Sequence, residues 1–162
     1  MTDTREDPYA KILIRHVDGD RVHIETPWAR RVGPDLYELD NVLWYAYGIS
    51  AGDILEARSD GEGLPEVVRI VRKSGNRTVR VVLKPPANAS TESQQVLDRL
   101  QALGCGYEGM RHSHFAINVP PQVDLMRVRE FLIATGQVWE HADPSYDDLF
   151  PGDNPGRPPE PR

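Results

Sequence analysis

Arg77-Thr78-Val79-Arg80-Val81-Val82-Leu83-Lys84 alternates strictly for most of its length. Val79, Val81 and Leu83 form one set, and Thr78, Arg80, Val82 and Lys84 form the other. Because successive side chains of a strand point to opposite faces, this stretch predicts a strand with one apolar face and one mixed, cationic face. Beyond Lys84 the period changes. Thr91-Glu92-Ser93-Gln94 has the form of a capping box, with threonine in the N-cap role. Val96, Leu97, Leu100 and Leu103 then share one helical stripe, and Gly104 supplies a left-handed stop. Tyr107 to Arg111 and His114 to Val119 predict two further strands. Asp124 caps a second helix carrying Leu125, Val128, Phe131 and Leu132, Gly136 ends it, and Val138 to His141 predicts a last strand. The order is β-α-β-β-α-β, the split βαβ of ferredoxin-like units.

Upstream, short alternating runs are broken by turn residues. Asp18-Gly19-Asp20 separates Ile12 to Val17 from Val22 to Thr26, Gly33-Pro34-Asp35 precedes Leu36 to Leu39, and Ser74-Gly75-Asn76 precedes the opening stretch. Such spacing predicts a small antiparallel, β-barrel-like unit. The expected fold class is therefore α+β, with a barrel-like unit over residues 9–77, a ferredoxin-like unit over 78–147 and a Pro-rich disordered tail over 148–162. Met1 to Pro8 is polar and expected to fray. Between Asn41 and Glu56 the chain concentrates Leu43, Trp44, Tyr45, Tyr47 and Ile49. This run, with Trp28 and Tyr37, is expected to form the core of the first unit, since burial is what rewards so much aromatic area.

With those elements placed, Glu25-Thr26-Pro27-Trp28-Ala29, Leu36 to Asn41, Ala46-Tyr47-Gly48-Ile49, Gly52-Asp53, Leu103-Gly104-Cys105 and Asn118-Val119-Pro120-Pro121 resemble the bacterial family called domain of unknown function 4265. The resemblance spans about Val22 to His141. It implies a compact two-part body and transfers no activity. Met110-Arg111-His112-Ser113-His114 departs from the family pattern, which leads one to expect a smaller, less basic hairpin there.

At 162 residues and a net charge of −6 the chain has the length of one domain or two small ones, and nucleic acid is not the expected partner. Its apolar runs are too short to span a bilayer, its start is acidic, and a single cysteine precludes an internal disulfide; a cytoplasmic location without membrane contact is expected. Candidate chemistry is sparse. Cys105 lies at a helix-to-strand turn and would need a base to act as a nucleophile. Glu25, Asp40 and Asp53 adjoin the aromatic run, where an apolar wall near Trp28 and Trp44 could raise a carboxyl pKa enough for acid catalysis by a hydrolase or transferase. His112 and His114 share a strand face in this reading, but zinc needs three or four ligands and spacing supplies no others. Arg69, Arg72, Lys73, Arg77, Arg80 and Lys84 make a basic 69–84 hairpin, an RNA-binding alternative lacking interleaved aromatic side chains. No catalytic set, metal site or cofactor is expected. The reading is a non-enzymatic binding or regulatory module, meeting a protein partner or a second copy through the face that carries Arg80, Lys84, His112, His114 and Asn118.

Overall fold

The computed structural model describes residues 7–153. Eleven strands and three helices succeed one another in chain order: β1 (Tyr9–Lys11), β2 (Ile14–Asp18), β3 (Arg21–Glu25), β4 (Trp28–Gly33), β5 (Leu36–Leu39), β6 (Ile54–Arg58), β7 (Glu66–Arg72), β8 (Arg77–Val82), α1 (Thr91–Ala102), β9 (Gly106–Met110), β10 (His114–Val119), α2 (Leu125–Thr135), β11 (Val138–Asp143) and α3 (Tyr146–Leu149). The chain is α+β and its strand pairings are antiparallel apart from one bridge. No helix among the described residues is long and apolar enough to cross a membrane.

The alternation of β8 is realised in the fold. Val79, Val81 and Leu83 are buried against α1 and α2, where Leu100, Val128 and Leu132 are fully covered. Complete burial of each such side chain contributes roughly 1.5–3 kcal/mol. The four strands of this sheet lie in the order β11-β8-β10-β9. The N-cap of α1 lies one residue before the expected one: the hydroxyl of Ser90, not that of Thr91, accepts the amide of Ser93 at 3.3 Å. The carboxylate of Asp124 accepts the amide of Met126 at 2.9 Å to start α2, and Gly136 ends that helix in the left-handed region at φ 68°.

The first half forms a five-stranded sheet in the order β1-β4-β5-β6-β7, with β2 and β3 as a separate hairpin. It is open rather than a closed barrel. Its two edges approach where Leu13 donates to the carbonyl of Pro65 at 2.8 Å and accepts from the amide of Val67 at 2.9 Å. Ile12, Leu39, Leu43 and Leu55 are the fully buried centre of its core.

The structure also corrects the expected aromatic core and the expected start of the tail. Of the aromatic side chains assigned to the core, only Tyr37 is buried. Trp28, Tyr45 and Tyr47 are 46%, 41% and 39% exposed, and Trp44 is half-buried. The reason is that residues 40–53 run as a loop between β5 and β6, not as a strand, so Leu43, Ala46 and Ile49 turn into the core while the intervening rings turn away. Trp28 lies under the Lys11 ammonium, 4.8 Å from its ring centroid, an arrangement that suits a partly wet ring. The second correction is the start of the tail. Ser145 caps α3, Leu149 packs on the second core and Phe150 lies 4.9 Å from Tyr146 between ring centroids, so ordered contacts continue past residue 148. Residues 154–162 and 1–6, to which the remaining expectations of disorder and fraying apply, lie outside the described residues.

Candidate recognition cleft

The strand register sets the outward face of the second sheet in three rows running across β9, β10, β8 and β11. Gly106, Asn118, Thr78 and Asp143 form one row, Glu108, Ala116, Arg80 and Glu140 the next, and Met110, His114, Val82 and Val138 the last. The 40–53 loop lies over the first two rows at Thr78, Asp143, Arg80 and Glu108 and leaves Gly106 at the β9 edge exposed.

In the row through Thr78, Ser50 donates to the Asp143 carboxylate at 2.5 Å and its oxygen lies 2.8 Å from the Thr78 hydroxyl. Lys73 donates to Asp143 at 2.6 Å, to Asp53 at 2.5 Å and to the carbonyl of Gly48 at 2.8 Å. Asp53, fully buried, also accepts the amides of Ser50 and Ser74. Buried charge is tolerated because each carboxylate is paired and hydrogen-bonded.

Arg80 holds the middle row. Its Nε donates to Glu140 at 2.8 Å, and its terminal nitrogens donate to the carbonyls of Leu43, Ala46 and Tyr45 at 3.2, 3.1 and 3.3 Å. Tyr47 stacks on the guanidinium at 4.7 Å and donates its hydroxyl to Glu140 at 2.5 Å. Burial, and after it the hydrogen bond to Glu140, pushes the Tyr47 hydroxyl pKa up. From the far side Glu25 closes the loop: its carboxylate accepts the amides of Trp44, Tyr45 and Ala46 at 2.5, 3.1 and 2.8 Å. One buried carboxylate thus fixes the backbone that carries Trp44 and Tyr45.

The third row stays open. Between it and the wall made by Trp44 and Tyr45 lies a cleft of about 450 Å³, with Arg111 at its rim. Val138 is 54% exposed on its floor and His114 is exposed beside it. A second hollow of about 410 Å³ lies on the other side of Trp44, toward Trp28 and Lys11.

The expected partner face is therefore divided. Arg80 is buried and committed within the chain, and Asn118 is half-buried in the covered row with its Oδ1 atom unpartnered. Alternation alone makes both of them outward and free, because nothing in the strand pattern says that a loop from the other half will lie over them. His114 lines the cleft. His112 is not on its strand at all: it occupies the β9–β10 turn with φ 58°, so the two imidazoles do not share a strand face. Lys84 is exposed beyond the open row.

None of the catalytic candidates has a reactive setting. Cys105 is buried, and desolvation pushes its pKa up to about 11, which leaves the thiol protonated. Glu25 and Asp53 spend their oxygens on backbone amides and Lys73, and Asp40 is exposed. Among the described residues no three His, Cys, Asp or Glu side chains converge as metal ligands. Of the six cations in the 69–84 hairpin, four are held internally: Arg69 by Glu56, Lys73 as above, Arg77 by the carbonyls of Val119, Pro120 and Val123, and Arg80 by Glu140. Glu56, held by Arg58 and Arg69, has its pKa pulled below the usual carboxylate range.

Sequence reasoning missed Trp44, Met110, Arg111 and Val138 as neighbours in one cleft. Alternation alone places Met110 and Val138 on the outward face, but only the register brings them into one row.

Comparison with known proteins agrees with this architecture. The family described as Domain of unknown function (DUF4265) matches residues 25–141, and the chain belongs to it. No curated protein matches. A solved structure, a hypothetical protein from Neisseria gonorrhoeae, superposes with a TM-score of 0.68 at 14% identity, covering 85% of this chain and 96% of that one. At that identity the likeness shows the fold alone.

Proposed function

We propose that this member of the DUF4265 family is a non-enzymatic binding module that seats a segment of a partner protein in the cleft beneath Trp44. The observation that carries the reading is the uncovered row Met110-His114-Val82-Val138, facing a wall whose backbone Glu25 holds in place. Concave, largely apolar sites with a few placed polar groups are the usual form of a recognition pocket. The polar side chains nearby, Arg80, Glu140, Asp53 and Asp143, are engaged with one another or with backbone, which supports binding over catalysis. A homodimer built on the same face would have only this outer row to use. The four internally held cations of the 69–84 hairpin weigh against RNA.

The architecture fits the same reading. Strand order β11-β8-β10-β9 with two connecting helices supports a ferredoxin-like unit over 78–147, and the Leu13 bridge supports a barrel-like first unit over 9–77. The cleft then belongs to the seam between them.

Selection of a random peptide library on the full chain tests the proposal. We expect a consensus peptide from the wild type that is lost with Val138→Glu at unchanged melting temperature. Failure to enrich a consensus, or the same consensus from the variant, overturns it.

A further inference from the structure

Resting on that reading, we propose that the occupant of the cleft is an acidic peptide segment, with an apolar side chain on the Val82–Val138 floor and its neighbouring carboxylate on Arg111. Three observations carry this.

The first is the charge inventory. Glu140 is the only acid lining the cleft, and it is taken by Arg80 and Tyr47. Arg111 is exposed and has no ion-pair partner among the described residues, and His114 and Lys84 are exposed nearby. In a chain of net charge −6 this rim is locally cationic. It complements an anion.

The second is shape and polarity. Trp44, Met110, Val82 and Val138 give an apolar lining beside the rim, and about 450 Å³ accepts one or two side chains of an extended segment. A planar guanidinium pairs with carboxylate through two parallel hydrogen bonds, so one arginine suffices, whereas phosphate-reading sites rely on arginine clusters.

The third is the backbone. Arg111 and His112 both stand in the left-handed region, at φ 55° and 58°. Histidine tolerates it better than most residues, but arginine there is disfavoured, and Gly, Asn or Asp would relieve the turn. The turn is nevertheless clamped: Ala87 donates to the carbonyl of His112 and Leu83 to that of Ser113, both at 2.7 Å. The turn so enforced holds the exposed Arg111 at the cleft rim at a backbone cost that glycine or asparagine would avoid, which motivates assigning the arginine a binding role.

The test is fluorescence polarisation with the full chain and acetylated ten-residue peptides carrying a central Leu-Glu or Phe-Glu pair in a Gly/Ser background. Counterparts replace Glu by Gln or Lys, or place the carboxylate at the chain end, acid against amide, to separate a side-chain source from a C-terminal one. We expect an acidic form to bind, at least tenfold weakening for its neutral isostere and for Arg111→Ala, and loss of affinity with salt. Arg111→Asn should lose binding while its melting temperature rises, a pairing that a purely structural arginine does not produce. Equal binding of acidic and neutral peptides, unchanged binding by Arg111→Ala, or tighter binding of a single-stranded RNA ten-mer overturns the inference. If library selection still yields a cleft-dependent neutral consensus, the inference alone fails. If selection yields none, the binding-module reading fails with it.

Discussion

Replacing Arg80 by methionine should destabilise the whole molecule. The side chain is 9% exposed and joins Glu140 and three loop carbonyls to the sheet. Methionine keeps most of the apolar stem and removes every donor. Breaking one partner out of a buried ion pair costs about 3–5 kcal/mol, because the remaining charge and acceptors lose their compensation. Here the figure is reduced, since Glu140 is 25% exposed and keeps the Tyr47 hydroxyl, which lets water reach the carboxylate. An expected loss is about 2–3 kcal/mol. For a chain of this size that corresponds to a drop of roughly 5–10 °C in melting temperature. Urea unfolding followed by circular dichroism measures it. A loss below about 1 kcal/mol would show that the loop does not depend on Arg80, and the division of the sheet face into covered and open rows would be wrong.

Glu25→Gln leaves one oxygen where two accepted three amides, so the amides of Trp44, Tyr45 and Ala46 should exchange with deuterium faster, with a stability loss of about 1–3 kcal/mol; unchanged protection would deny Glu25 its role. Cys105, at a pKa of about 11, should react with Ellman's reagent at pH 8 only after denaturant is added, and prompt labelling of the folded chain would contradict its burial. His141 is buried, and desolvation, aided by Arg129, lowers its pKa from 6.5 to about 4. A depressed histidine contributes stability that is complete above pH 6.5 and is lost as pH falls from there through 4, by about 2–3 kcal/mol at pH 4.5. The advantage of wild type over His141→Gln should shrink by that amount between pH 7 and 4.5, and parallel pH curves would refute the assignment.

The second half of the fold is legible in the sequence because β8, β10, α1 and α2 carry strong periods, and the N- and C-terminal caps at Asp124 and Gly136 are local chemistry. The aromatic run misleads for a physical reason. Strand and loop both accept a dense apolar sequence, and only the contacts of Glu25 and Arg80 decide that residues 40–53 run as a loop across another sheet. Both partners lie far away in sequence, 21 residues for Glu25 to Ala46 and 34 for Arg80 to Ala46. The cleft is half-visible: the outward set of each strand can be read, and His114 with it, but no local rule gives the register that sets Met110 beside His114 and Val82 beside Val138. The basic turn at Arg111 stands out in the sequence as a departure from the family pattern, whereas its left-handed conformation is a property of the fold.

The claim that the cleft beneath Trp44 is the binding site meets its most direct test in an NMR titration of the ¹⁵N-labelled chain with the tightest peptide from the library. Shifts should concentrate at the Trp44 indole, Met110 to His114, Val82 and Val138, saturating together with one affinity. Shifts that leave these residues unmoved and gather on the β2–β3 hairpin or on the exposed faces of α1 and α2 would contradict it.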